Sequence, residues 1–149
     1  AADLRARAHS LAPKLEQAFR AVEQSLATNG ELVVVSYPQL FESPTAWTSP
    51  TNRYCDGLGS ADVITLRAAA DALDTALAHA ASAVGARFLD VRQAFVGHGR
   101  CGNEVPWLHG VSVGLVGRRT PVAGSFHPND AGQAEEARRL EDLLRRMYR

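Results

Sequence analysis

The sequence lacks both an excess of charge and any long apolar run. Sixteen basic side chains balance sixteen acidic ones among 149 residues. Nucleic acids and anionic membrane surfaces attract proteins mainly through net positive charge, so neither is an expected partner. A membrane-crossing helix needs roughly 20 consecutive apolar residues, and no run in the sequence approaches that length. We therefore expect no transmembrane segment, and partners that are recognised by local chemistry.

Cysteine is nearly absent as well. Cys55 and Cys101 are the only two. They are too few and too far apart for a zinc site or a Cys-x-x-Cys redox pair, and no metal or other cofactor is expected. Two interpretations of the pair remain open. A disulfide would place the protein outside the cytosol, whereas two unrelated buried thiols would say nothing about location.

The length of the chain suits one compact domain with a single core. The chain begins Ala1-Ala2-Asp3 rather than with methionine. We interpret this start as a sign of cleavage, maturation or excision from a longer polypeptide.

Three apolar periodicities predict three helices. Apolar residues recur at steps of three and four between residues 2 and 28, where Pro13 either kinks the helix or begins its second part. A second helix is predicted from Ser60, as its N-cap, to Gly85, and a third after Asn129 or Asp130. The residues expected to face the core are Leu4, Ala8, Leu11, Leu15, Phe19, Val22 and Leu26, then Val63, Leu66, Ala69, Leu73, Leu77, Ala80 and Val84, then Ala134, Ala137, Leu140, Leu144 and Met147.

Two short β-branched runs, ELVVVSYP at 31–38 and RFLDV at 87–91, predict strands between the helices. Alternating helices and strands are typical of a parallel α/β sheet with helices over both faces. Two strands are too few for such a sheet, so either VSVGLVG at 111–117 adds one or strands are missing from this chain. Irregular stretches at 38–59 and 93–127 follow the strands, at the edge of a parallel sheet where ligands bind.

Five sequence blocks, taken in order, resemble one enzyme family. They are LVVVSYPQLF at 32–41, Cys55, RFLDVRQAFVGHGRCG at 87–102, PWLHG at 106–110 and SFHPNDAGQ at 125–133. Together they resemble the C-terminal half of secreted actinobacterial SGNH hydrolases, the GDSL-type esterases and lipases. The resemblance implies a flavodoxin-like three-layer α/β/α sandwich and hydrolysis of esters or lipids outside the cytoplasm. With the cysteines in place, it also implies a Cys55–Cys101 disulfide, and that residues 1–149 are the C-terminal portion of one hydrolase domain.

In this resemblance His127 is the catalytic histidine. A serine hydroxyl needs a base to take its proton and the leaving alkoxide needs an acid, and imidazole serves both steps near neutral pH. Many family members place an aspartate three residues before this histidine, where this sequence has Gly124. We therefore expect a backbone carbonyl near Gly124 to orient the ring. Trp107 and Leu108 are expected at the substrate pocket.

The motifs that carry the family's serine and oxyanion hole do not occur in this sequence. They belong to the N-terminal half of the family's domain. The resemblance thus implies a partner, an N-terminal fragment of the same hydrolase that carries the nucleophile. Two alternatives remain: a non-catalytic remnant that binds a ligand or partner through its exposed sheet edge, or an independent enzyme that uses a serine such as Ser36 or Ser125.

The same residues also have simpler interpretations when they are taken singly. A histidine before a proline at a helix start is commonly a surface loop residue. Trp107 could serve packing alone, Asp90 is expected to cap the end of a strand, and His98 and His109 are weaker catalytic candidates than His127.

Overall fold

The computed structural model describes residues 2–47, 54, 55, 57–111 and 124–149. Within them, helices and short parallel strands alternate as predicted. The helices are α1 (Ala2–Ser10), α2 (Ala12–Glu23), α3 (Ser60–Ala83) and α4 (Asp130–Met147), and the strands are β1 (Val33–Val35) and β2 (Arg87–Leu89). Short 3₁₀ helices at Pro44–Ala46 and Arg92–Phe95 follow the two strands.

The first predicted helix is in fact two helices that meet at Leu11. The Leu11 carbonyl accepts a hydrogen bond from the Leu15 amide at 2.9 Å, which begins α2. Pro13 lies in the first turn of α2, where its missing N–H is tolerated because the first amides of a helix have no partner within it. Pro13 therefore begins the second part, one of its two predicted roles.

The start of α3 differs from the prediction by one residue. Gly59 is the N-cap, and its amide donates to the Asp62 carboxylate at 3.0 Å. The prediction of Ser60 as the N-cap is wrong, because the chain turns into the helix at Gly59 and Ser60 is already helical. The helix ends just before Gly85, as predicted. The φ of Gly85 is 76°, in the left-handed region that favours glycine.

β1 and β2 pair in parallel, with Val33 opposite Arg87 and Val35 opposite Leu89. Beyond the strands, Phe41 and Arg100 form a parallel bridge between the two loops that follow them. The strand considered at 111–117 lies, apart from its first residue, outside the described residues.

α3 is the central helix, since it contacts both strands, α1 and α2, whereas α4 contacts β2. Of the predicted core residues, those that are buried are Ala8, Val63, Ala80 and Val84, and those that are exposed include Leu4, Leu11, Val22 and Leu144. The outer helices expose apolar side chains because no further element of the described chain packs against them. No helix in the described ranges is both long enough and apolar enough to cross a membrane.

A disulfide joins Cys55 to Cys101, which confirms the predicted pair. Both cysteines are buried and pack with Phe41 and Val63, and we call these four residues the disulfide cluster. Phe126 is among the partly buried side chains that pack against it. The cluster ties the loop after β1 to the loop after β2, next to the segment that holds His127.

Candidate active site

His127 lies in the connection that leads into α4, and the residue before it is anchored. Phe126 packs edge to face against Phe41 of the disulfide cluster, with ring centroids 5.2 Å apart. The φ of Phe126 is 63°, in the left-handed region that a bulky side chain rarely adopts. Such strain persists only where the surrounding packing determines the backbone, and it concentrates at functional sites. The disulfide cluster therefore fixes the chain on one side of His127.

The residue after His127 is anchored to a different loop. Pro128 and Leu108 form an antiparallel bridge, in which the His109 amide donates to the His127 carbonyl and the Asn129 amide to the Trp107 carbonyl, each at 2.9 Å. Leu108 is only 2% exposed. The bridge therefore fastens the other side of His127 to a buried residue, and it brings the PWLHG and SFHPNDAGQ blocks together.

Asn129 is the N-cap of α4 and holds the helix to the same loop. Its side-chain oxygen accepts from the Gly132 amide at 3.2 Å, and its side-chain amide donates to the Pro106 carbonyl at 2.9 Å. A Cβ at Gly132 would lie 2.4 Å from the Trp107 carbonyl oxygen, so a larger residue would push α4 away from the loop. Sequence reasoning missed Gly132. The available signal was a glycine in the first turn of a helix, where it weakens helix formation.

The backbone of His127 is fixed while the residue itself is exposed. Its amide donates to the Gly124 carbonyl at 3.3 Å. No group among the described residues forms a hydrogen bond with the imidazole. Orientation of the ring by a carbonyl near Gly124 thus stays a prediction.

Trp107 packs within the loop to which the His127 segment is bridged. Its ring stacks on the His98 imidazole, with centroids 3.8 Å apart and planes 4° apart, and meets Phe95 edge to face at 5.7 Å. These contacts support the packing role considered for Trp107. Leu108 beside it is almost fully buried. Contact of Trp107 and Leu108 with substrate stays a prediction.

Glu42 is a buried carboxylate that sequence reasoning missed, and it holds the loop after β2. It is 7% exposed, and its Oε1 accepts from the amides of Gly97 and Gly99 at 2.9 and 3.0 Å. The Gln39 side-chain amide donates to its other oxygen at 3.3 Å. These donors offset the cost of burying a charge. The available signal was the glycine pattern, because a Cβ at Gly99 or Gly102 would lie within 2.9 Å of the Glu42 side chain.

Asp90 joins the carboxyl ends of β1 and β2, in keeping with its predicted role. Its carboxylate accepts from the Ser36 hydroxyl at 3.4 Å and from the Arg92 amide at 2.9 Å, and it pairs with the Arg92 guanidinium at 2.7 Å. The hydrogen bonds from Arg92 lower the pKa of Asp90. Arg92 also pairs with Asp74 at 3.0 Å, and burial raises the pKa of that carboxyl. No group of three or more His, Cys, Asp or Glu in the described part of the chain is arranged to hold a metal ion.

Comparison with known proteins relates the chain to bacterial lipases. No protein-family model matches it. It is 34% identical over 125 residues to Lipase 1 of Streptomyces coelicolor, across 84% of this chain and 41% of that protein. Its fold matches the crystal structure of an extracellular lipase from Streptomyces rimosus with a TM-score of 0.72 at 31% identity, over 93% of this chain and 53% of that one. The chain is homologous to the Streptomyces lipases.

This homology confirms the predicted resemblance and the predicted α/β fold class. A phospholipase A1 from Streptomyces albidoflavus has the same fold, with a TM-score of 0.69 at 26% identity, over 93% of this chain and 53% of that one. The chain thus spans about half the length of the Streptomyces lipases it matches.

Ser36 and Ser125 are the serines considered as nucleophiles within this lipase homologue. Ser36 is 5% exposed, and its hydroxyl donates to Asp90 and accepts from the Val91 amide at 2.9 Å. These contacts tie β1 to the end of β2 and favour a structural role for Ser36. Ser125 lies two residues before His127 and is half-buried.

Proposed function

We propose that this chain supplies the catalytic histidine of a serine esterase or lipase, as the C-terminal portion, residues 1–149, of one hydrolase domain. The nucleophilic serine and the oxyanion hole then lie on an N-terminal fragment of the same protein. The observation that carries the proposal is the two-sided anchoring of His127, through Phe126 and Pro128, in a homologue of Streptomyces lipases. A histidine of an ordinary surface loop needs neither a strained neighbour nor a fixed backbone.

In the proposed reaction, the His127 imidazole takes the proton of the serine hydroxyl as the serine oxygen attacks the ester carbonyl carbon. The imidazolium gives that proton to the leaving alkoxide, and an acyl-enzyme remains. Water, deprotonated by the same imidazole, then releases the acid, and the proton returns to the serine. The exposure of His127 suits a nucleophile that approaches from another segment. A carbonyl near Gly124 holds the ring tautomer.

The proposed substrate is a lipid ester or another acyl ester. The matched relatives are lipases and a phospholipase A1, and we place Trp107 and Leu108 at the border of the pocket. The proposed location is outside the cytoplasm. In support, the Streptomyces rimosus relative is an extracellular lipase, and a buried disulfide forms in oxidising compartments.

Reconstitution tests the proposal. The chain alone should neither hydrolyse p-nitrophenyl esters nor react with a fluorophosphonate serine probe, because removing one part of such a catalytic unit forfeits most of its activity. When it is coexpressed with the N-terminal part of its precursor, both properties should be present, with the probe on the other polypeptide. In that assembly His127→Ala should lower ester turnover by orders of magnitude. His79→Ala, which changes an exposed histidine of α3, should leave it unchanged.

Two outcomes would contradict the proposal. Stoichiometric labelling of a serine within residues 1–149 would indicate a self-sufficient hydrolase. Near-normal turnover by the assembled His127→Ala enzyme would show that another residue is the base.

A further inference from the structure

An apolar groove runs between α1 and α2 on one side and α3 on the other. Its volume is about 650 Å³, within the range of ligand pockets, roughly 300–1,000 Å³. Leu4 and Leu11 line it from the first two helices, and Leu66 and Leu73 line it from α3. Leu4 and Leu11 are 39% and 38% exposed. The groove therefore presents apolar surface to solvent, as binding sites do.

Small residues of α3 keep the groove open. Ala69 and Ala70 line it between the two leucines of the helix, where larger side chains would fill it. Phe41 also lines the groove, and its ring contacts Phe126, the residue before His127. Phe41 thus both lines the groove and contacts the residue that precedes the candidate base.

The charged residues that line the groove are both cationic. They are Arg7 and Lys14, and Lys14 is the only lysine in the sequence. Within the described residues neither forms an ion pair. By contrast Arg20, on the same helix as Lys14, pairs with Glu16 at 2.7 Å. The groove thus combines leucines and alanines with two cations that have no carboxylate partner in the described chain.

We infer that this groove binds a long-chain fatty acid anion, with its carboxylate at Arg7 and Lys14 and its acyl chain along the leucines. Arg7 and Lys14 are exposed, so a neutral ester would gain no ion pair from them, and a small polar anion would leave the leucines in water. The carboxylate of a fatty acid anion pairs with the cations, and its acyl chain covers the leucines. The inference rests on the proposed function, because a fatty acid is the acyl product of lipid ester hydrolysis. It adds a site for this product that His127 does not line.

Binding of cis-parinaric acid, a fluorescent long-chain fatty acid, tests the inference on the chain itself. Oleate should displace the probe, and methyl oleate, which lacks the charge, should displace it poorly. Arg7→Glu with Lys14→Glu should weaken binding by about tenfold or more, because the carboxylate loses its cationic partners. Ala70→Trp should abolish binding by filling the groove. Arg5→Glu is the control for the Arg7→Glu change, since it reverses one charge on α1 at an exposed residue that does not line the groove.

Three results would overturn the inference. In the first, the wild-type chain and the Arg7→Glu and Lys14→Glu double variant bind cis-parinaric acid with equal affinity, and circular dichroism shows that both are folded. The second is equal displacement by oleate and methyl oleate. The third is loss of binding when the chain is assembled with the N-terminal part, which would identify the groove as a surface buried within the larger protein.

The same measurements separate this inference from the proposed function. His127→Ala should leave fatty acid binding unchanged, because the histidine does not line the groove. If oleate binds as expected but the assembled protein hydrolyses no ester, the hydrolase proposal fails and the groove remains a fatty acid site. If esters are hydrolysed and oleate does not bind, the groove inference alone fails.

Discussion

At the scale of single residues, strain and packing meet at Phe126. Its left-handed backbone costs on the order of 1–3 kcal/mol, which the contact of its ring with Phe41 helps to offset. Phe126→Ala keeps the unfavourable backbone and loses the ring, so it should lower the free energy of unfolding by about 2 kcal/mol. In the assembled enzyme, kcat should fall by roughly tenfold or more with little change in KM, because His127 shifts while the substrate pocket does not.

Steady-state kinetics and urea unfolding of this variant check both parts of the prediction. Phe126→Leu is the control, since it keeps an apolar side chain against the disulfide cluster and should retain most of the activity. An unchanged kcat in Phe126→Ala would show that the position of His127 does not depend on this contact.

Gly124 offers a second prediction at this scale. A Cβ at Gly124 would meet no heavy atom within 4 Å, so Gly124→Asp should be tolerated. A carboxylate near His127 favours the imidazolium. The acidic limb of the pH profile of kcat/KM should therefore move to higher pH, because the neutral imidazole is the base. Gly124→Asn, of the same size without the charge, should leave that limb in place, and equal profiles for both variants would mean that residue 124 does not reach the ring.

At the scale of secondary-structure elements, Asp90 controls how the ends of β1 and β2 are joined. Because Arg92 lowers the pKa of Asp90, ionised Asp90 stabilises the fold. That contribution is full above the ordinary aspartate pKa of about 3.9 and is lost as the pH falls through the lowered value. Asp90→Asn should lower the free energy of unfolding by about 1 kcal/mol at pH 7, after allowance for solvent screening, and by less at pH 2.

Urea unfolding at the two pH values measures this difference. Glu141→Gln is the control, because it removes an ion pair to Arg145 in which both side chains are more than half exposed, and it should change stability little. The same loss for Asp90→Asn at both pH values would contradict the charge-based explanation.

The elements could be predicted from the sequence to the extent that periodicity determines them. The apolar repeats indicated the helices, and the β-branched runs indicated two parallel strands. The break before α2 was one of the two roles predicted for Pro13. The exposure of Leu4 and Leu144 could not be predicted, because burial depends on which element packs against a helix. A local preference for helix says nothing about that neighbour.

Some features of the candidate site could likewise be predicted from the sequence, and others could not. The order of short motifs predicted the disulfide, and it singled out His127, whose role stays a prediction. The start of the last helix predicted a cap at Asn129 or Asp130, and Asn129 is that cap. Glu42 and Gly132 were missed because their roles depend on contacts with residues distant in sequence. The Glu42 carboxylate accepts hydrogen bonds from amides more than fifty residues away. Gly132 has no side chain, which leaves space for the Trp107 carbonyl oxygen.

At the scale of the whole molecule, the disulfide joins residues that are 46 apart in sequence. On the chain-entropy account, closing such a loop restricts the unfolded chain and stabilises the protein by about 4 kcal/mol. Cys55→Ser with Cys101→Ser should lower the free energy of unfolding by about that amount in urea titrations. Dithiothreitol should have a similar effect on the wild-type chain and none on the double variant. Equal stability of the oxidised and reduced wild-type chains would contradict this account.

The exposed loop around Val105 is a place where a protease could cut the chain after both cysteines. Val105 is 71% exposed, and both cysteines precede it in the chain. A single proteolytic cut there would leave the disulfide wholly within the first piece. The second piece, with His127 and α4, would then be a separate peptide, held by contacts such as Phe126 on Phe41 and Trp107 on His98. The histidine of the proposed enzyme is thus one peptide bond away from being a dissociable subunit.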